Sequence, residues 1–172
     1  MILRTEDIIA SGAYADIFRP PKSLLVYKLF ISGRHPTNIS QDLTRPEDDQ
    51  RRRKTCMSEC KAYDRAAQHS FLCNHIAQSF CRCVVEDVTG PAGSVADRYI
   101  LDCCYAMEYI EGVSMKLGNL FIESRPHHIR KALTAFREAG ILHVTDPSIF
   151  FLDDPEKFRF IDFAVEEYPP CW

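Results

Sequence analysis

Short apolar runs bounded by turn residues, switching from strand to helix and back, constrain this chain more than any single motif. Asp7 to Phe18 alternates through a stretch of small residues, IIASGAYADIF, and the run SLLVYKLF follows Pro20-Pro21. Two strands joined by a short turn fit that pattern. Ile76 to Asp87 and Arg98 to Tyr109 have the apolar, Cys- and aromatic-rich character of strands, and TGPAGS between them predicts an antiparallel pair. Met57 to Ala67 is helical in propensity, with Thr55 or Ser58 available as its cap. After Glu111-Gly112 the pattern predicts helix over Ser114 to Ile122 and again over His127 to Ala139, with Gly140 as the stop. IFFLDD and FRFIDFAV, separated by Pro155-Glu156-Lys157, predict a last hairpin. Strands, a helix, strands, helices and a hairpin, in that order, make an α+β fold.

Ser32 to Thr55 is polar and punctuated by proline, so a long loop or insertion is expected over 33–55. Its cluster Arg51-Arg52-Arg53-Lys54 reads either as a contact for phosphate or an acidic partner, or as the solvated start of a helix, since Glu47, Asp48 and Asp49 precede it. With 46% apolar and 26% charged residues among 172, the chain has the profile of a globular domain, which excludes global disorder. The net charge of -3 provides no overall basic field for nucleic acid or anionic lipid. Arg4, Glu6 and Asp7 interrupt what would be a signal core, and Asp102 and Glu108 interrupt the longest apolar stretch. A cytoplasmic protein without a membrane span is the expectation.

Eight cysteines include no Cys-x-x-Cys pair. Cys56 and Cys60 stand i, i+4 on the expected helix, and a zinc site joining them to His69 or His75 is one reading. The plainer reading, preferred here, is of reduced and mostly buried thiols.

Five local features occur in a fixed order. They are the turn from Ile9 to Phe18, Val26-Tyr27-Lys28 on the next strand, Glu59 on the following helix, Met107 to Gly112 where strand gives way to helix, and Gly140-Ile141-Leu142-His143 followed by Ile161-Asp162-Phe163-Ala164. Small residues at Ala10, Gly12 and Ala15 let backbone N–H groups approach a phosphate chain. A lysine in an apolar strand calls for a carboxylate such as Glu59, and Asp162 in an apolar run calls for a cation.

In that order the features resemble the protein kinase-like family over nearly the whole chain. The resemblance implies an antiparallel five-stranded small lobe with one helix over 1–111, and a shortened, mainly helical large lobe over 112–172. It puts Gly12 on the central glycine of the phosphate loop, with Ala10 and Ala15 in place of its neighbours and Ile17 against the adenine. It makes Lys28 the phosphate-holding lysine, Glu59 its ion-pair partner, Glu108 to Ile110 the adenine hinge and Asp162 the Mg²⁺ ligand. ATP and Mg²⁺ are the implied cofactors.

The sequence departs from the family at the catalytic loop. In His143-Val144-Thr145-Asp146-Pro147-Ser148-Ile149-Phe150-Phe151 the catalytic aspartate position falls on Thr145, or on Asp146 with a one-residue slip. The second-metal asparagine is replaced by Phe150 or Phe151, although Asp153 or Asp154 stands nearby. The sequence given ends ten residues after Asp162, so a shortened form without activation segment or substrate platform is expected. The implied function is a pseudokinase acting through a protein partner, with a homo-oligomer as one form. The insertion and the face left by the shortened large lobe are its expected interaction surfaces. An active small kinase using Asp146, and an interaction module without nucleotide, are the alternatives.

Overall fold

The computed structural model describes residues 1–33, 46–116, 127–141, 148–152 and 158–161. These form a mixed α+β fold with two helices and three sheets. The chain divides into two compact units, one of Met1–Met57 and Ser79–Tyr109, the other of Ser58–Gln78 and Ile110–Trp172.

The first unit is built on a five-stranded antiparallel sheet. Its strands are β2 (Ile8–Ser11), β3 (Ala15–Phe18), β4 (Leu25–Ile31), β5 (Ser79–Cys83) and β8 (Tyr99–Glu108), in the order β2-β3-β4-β8-β5. The two segments expected as two strands form three: Asp7 to Phe18 folds as the hairpin β2–β3 around the expected turn at Gly12, and the run SLLVYKLF supplies β4. The central strands β4 and β8 are buried along most of their length, as β-branched and aromatic runs covered on both faces are. On one face Phe18, Leu29, Ile31, Tyr99 and Cys104 pack with Leu3, Val85 and Val88 into a continuous core. Leu3 and Val88 come from a small second sheet in which β1 (Ile2–Arg4) pairs in parallel with β6 (Asp87–Gly90), and β6 in turn with β7 (Gly93–Ser94). The expected antiparallel partnership of the two Cys-rich strands is present as β5 with β8. The TGPAGS turn, however, closes β6 on β7, where Ser94 Oγ donates to Asp87 Oδ1.

Helix α1 (Pro46–Gln68) corrects the expected 33–55 loop, because residues 46–55 are helical. Proline fits a first helical position, where its fixed φ is pre-set and its missing N–H is not needed, and the acidic residues after it suit the positive end of the helix. Pro46 is therefore a start signal rather than loop punctuation. Thr55 and Ser58 lie inside the helix and do not cap it; Thr55 Oγ1 donates back to Arg51 O at 3.1 Å. Asp49 accepts from Gly33 N at 2.8 Å and from Ser32 Oγ at 3.0 Å. A Cβ on Gly33 would lie 2.6 Å from Asp48 Cβ, so only glycine fits this approach.

In the second unit β9 (Val113–Lys116), β10 (Ser148–Phe151) and β11 (Phe158–Ile161) form an antiparallel sheet with β10 in the centre. The last hairpin is thus present as expected. The helix expected from Ser114 is replaced at 114–116 by β9, because a ladder to the distant residues 148–151 satisfies that backbone in place of a local helix; residues 117–122 lie outside those described. Helix α2 (His127–Glu138) matches its expected span and buries Ile129, Ala132 and Phe136, the spacing of one helical face. It stops at Gly140, whose φ of +71° suits glycine. Gly140 N donates to Arg137 O at 2.9 Å and Ile141 N to Phe136 O at 2.8 Å, which closes the last turn, and Ile141 is buried. Phe160 meets Phe136 edge-on at 5.2 Å and Phe158 at 5.5 Å, and His75 stacks on Phe158 at 4.7 Å.

Candidate functional site

Residues directly opposite one another in a sheet share a face, so strand register decides which candidate residues come together. Ala10 pairs with Ile17, Ile17 with Lys28, Lys28 with Tyr105 and Tyr105 with Arg82. Three of the expected site residues, Ala10, Ile17 and Lys28, thus stand in one row across the face opposite the core. Ala15, paired with Phe30, lies on the same face two residues before Ile17. Lys28 is 8% exposed, and its Nζ lies 5.5 Å from the centroid of the Phe30 ring. It is therefore not a solvent-facing strand lysine.

Gly12 sits in the turn between β2 and β3, its N–H donating to Ala15 O at 2.9 Å. A Cβ on Gly12 would meet only Ala15 O, at an ordinary 3.5 Å. The fold itself does not demand a glycine there. The turn is held from behind by Arg52 of α1, a residue only 7% exposed, which donates to Ile31 O at 2.9 Å and to Ala13 O at 3.4 Å. Its guanidinium also lies 5.3 Å from the Tyr14 ring. Within the basic cluster Arg51 and Lys54 are exposed, as a solvated helix start requires, and Arg53 pairs with Asp102. Arg52 is the member that this reading of the sequence missed; only its place on the inner helical face distinguishes it.

Glu59 lies on α1 in the second unit and is 3% exposed, which is rare for a carboxylate. Glu108 ends β8 opposite Leu25. Tyr109 N donates to Leu24 O at 2.9 Å, and the Arg19 guanidinium covers the Tyr109 ring at 3.4 Å. Ile110 is buried. Asp146 and Asp162 lie outside the described residues, as do His143, Thr145, Asp153 and Asp154. Phe150 is in β10, between Ser114 and Arg159.

Asp16 is a buried acid that the sequence reading did not single out. It is wholly buried on the core face, opposite Leu29, accepting from Tyr99 Oη at 2.7 Å and paired with Arg98 at 3.2 Å. Burial first, then the bond to Asp16, pushes the Tyr99 hydroxyl well above its usual range. The signal was an acid in the otherwise apolar strand Ala15–Phe18.

Seven described cysteines are free thiols, of which Cys56, Cys103 and Cys104 are buried. The hydrogen bond with Cys56 holds the Cys103 thiol below its usual range, with Arg53 and Arg82 adding to the effect. Burial first, then the adjacent Cys81, pushes Cys83 up to about 11. Among the described residues no group of three or more His, Cys, Asp or Glu is placed to hold a metal ion, which covers the Cys56–Cys60 reading. Among the same residues no helix is long and apolar enough to cross a membrane. No family model matches the chain, nor does any curated protein.

Proposed function

We propose that the chain is a kinase-like nucleotide-binding protein, a cytoplasmic pseudokinase that acts by binding a protein partner. The observation that carries this reading is Lys28, nearly buried on a sheet face in one row with Ala10 and Ile17. An ammonium held at such low exposure is little screened by water, so its charge acts strongly on an anionic group that reaches that face. A turn containing a glycine that its own fold does not demand adjoins that row, and the following helix carries the buried Glu59. The five-stranded antiparallel sheet with one helix is also the small-lobe architecture that the resemblance implies.

In this reading the Gly12 turn and Lys28 hold the phosphates, Ile17 covers the adenine, the backbone of Glu108 to Ile110 meets its edge, and Asp162 holds Mg²⁺. Bound Mg²⁺ would neutralise phosphate charge. The sequence supports binding over catalysis: Phe150 or Phe151 stands in place of the second-metal asparagine, and a phenyl ring coordinates nothing. A complex with a protein partner, or a homo-oligomer, is the expected working form.

Thermal melting with ATP, with and without Mg²⁺, tests the proposal. At a hundredfold excess over Kd the wild type is expected to gain about 5 °C or more. Lys28→Ala and Asp162→Ala should reduce that gain, and no phosphate should be incorporated into any substrate. Incorporation lost in Asp146→Ala would replace the pseudokinase with the active kinase. Absence of any shift in the wild type would leave a nucleotide-free interaction module.

A further inference from the structure

Strand β5 is the outermost strand of its sheet and carries Cys81 and Cys83 two residues apart, on the same side of the strand. Their Sγ atoms are 3.8 Å apart, Cys81 is exposed and Cys83 half-buried. A register shift between Ser79 and Cys81 breaks the ladder just before the pair, and Cys83 Sγ also lies 3.7 Å from Cys81 O. Two sulfurs bound at about 2.3 Å and a tetrahedral angle to one zinc ion are separated by about 3.8 Å. The thiols thus already stand at a chelating separation. Among the described residues no third His, Cys, Asp or Glu completes a metal cluster with them, so the described residues supply two donors.

We propose that Cys81 and Cys83 form a two-thiolate site for a soft, thiophilic cation, zinc or cuprous copper in character, on the exposed edge of the five-stranded sheet. Thiolates select such ions over hard cations. Binding breaks two S–H bonds, forms two S–metal bonds and releases both protons to water, with no change of oxidation state. The site does not depend on nucleotide binding, whose proposed residues lie elsewhere in the sheet.

The test loads fully reduced, metal-free protein with one equivalent of Zn²⁺ or of Cu⁺ against a chromophoric chelator specific for each, and reads stoichiometry by native mass spectrometry. Retention of Zn²⁺ alone, Cu⁺ alone or both supports the site and identifies its ion. One ion per chain supports it, as does one zinc per two chains, in which a second copy supplies the remaining thiolates. Cys81→Ser and Cys83→Ser should each weaken retention at least tenfold, and Cys73→Ser should leave it unchanged. No retention by the wild type, or retention by both serine variants as strong as that of the wild type, overturns the proposal. So does loss in Cys104→Ser while the two serine variants still bind. Alkylation of the wild type, mapped peptide by peptide, covers variants that fail to fold. The bound ion should shield Cys81 and Cys83, and shielding confined to Cys56 and Cys103 overturns the assignment.

Discussion

Tyr99 donates a hydrogen bond from its hydroxyl to the carboxylate of Asp16, which has no access to water. Removing the donor leaves Asp16 with Arg98 alone, at a cost of about 1–3 kcal/mol for an undersatisfied buried acceptor. Tyr99→Phe should therefore lower the urea midpoint at neutral pH. A pH signature separates this bond from simple packing. The folded-state pKa of Tyr99 lies above the unfolded value of about 10. Its contribution is then fully present below that pH and is lost as pH rises further. Wild-type midpoints should fall between about pH 9 and pH 11, and the fall should be shallower in Tyr99→Phe. Some slope should remain, because burial raises Tyr27 too. An unchanged slope would remove Tyr99 from the account. Lys28 and Asp16 illustrate what a sequence can disclose at this scale. Each is a charge in an apolar strand, a pattern that marks an unusual environment. The sequence alone does not show which sheet face that charge occupies, because register with strands many residues away decides it.

Helix α1 was legible in its second half and illegible at its start. Pro46 and three acids read equally well as a polar loop, and the contacts that select a helix there reach back to Ser32 and Gly33. Strand β9 was misread because its partner lies more than thirty residues downstream. The β1–β6 pairing was not foreseen for the same reason, since it joins Leu3 to Val88. The hairpin β2–β3, the runs β4 and β8 and helix α2 were legible, because their turns, caps and periodicity are local. Two substitutions test the devices that hold these elements. Arg52→Met removes the donor to Ile31 O and Ala13 O and should cost about 1–3 kcal/mol in chemical denaturation. It should also speed amide exchange at residues 12–15, because the turn loses its tether; unchanged exchange there would show that Arg52 does not hold it. Gly140→Ala forces a side chain into a left-handed backbone and should cost about 1 kcal/mol. A D-alanine introduced by semisynthesis should restore that stability, whereas a loss caused by crowding would persist.

At the scale of the molecule, the second unit is assembled from two separated stretches, and the first of them, Ser58–Gln78, lies inside the sequence of the other unit. Its end is bound to the last described strand: Phe160 N donates to His75 O at 2.8 Å, and Ala77 N donates to Phe160 O at 3.1 Å. Leu72, Ile76 and Ala77 are buried there together with Phe158 and Phe160. A polypeptide of residues 1–110 retains β1 to β8 with all their ladders but lacks β9 to β11 and α2. It should therefore keep the far-ultraviolet signature of its sheets while binding a dye for exposed apolar surface and eluting as oligomers on gel filtration. Adding residues 110–172 in trans should suppress both effects, because the missing partners of His75 and Ala77 return. A monomeric 1–110 chain that binds no dye would mean that residues 58–78 bury their apolar side chains without the rest of their unit. The buried Glu59 lies in the same stretch. If the proposed nucleotide site needs that carboxylate, ATP should stabilise the full chain and the reconstituted pair, and stabilise residues 1–110 alone less.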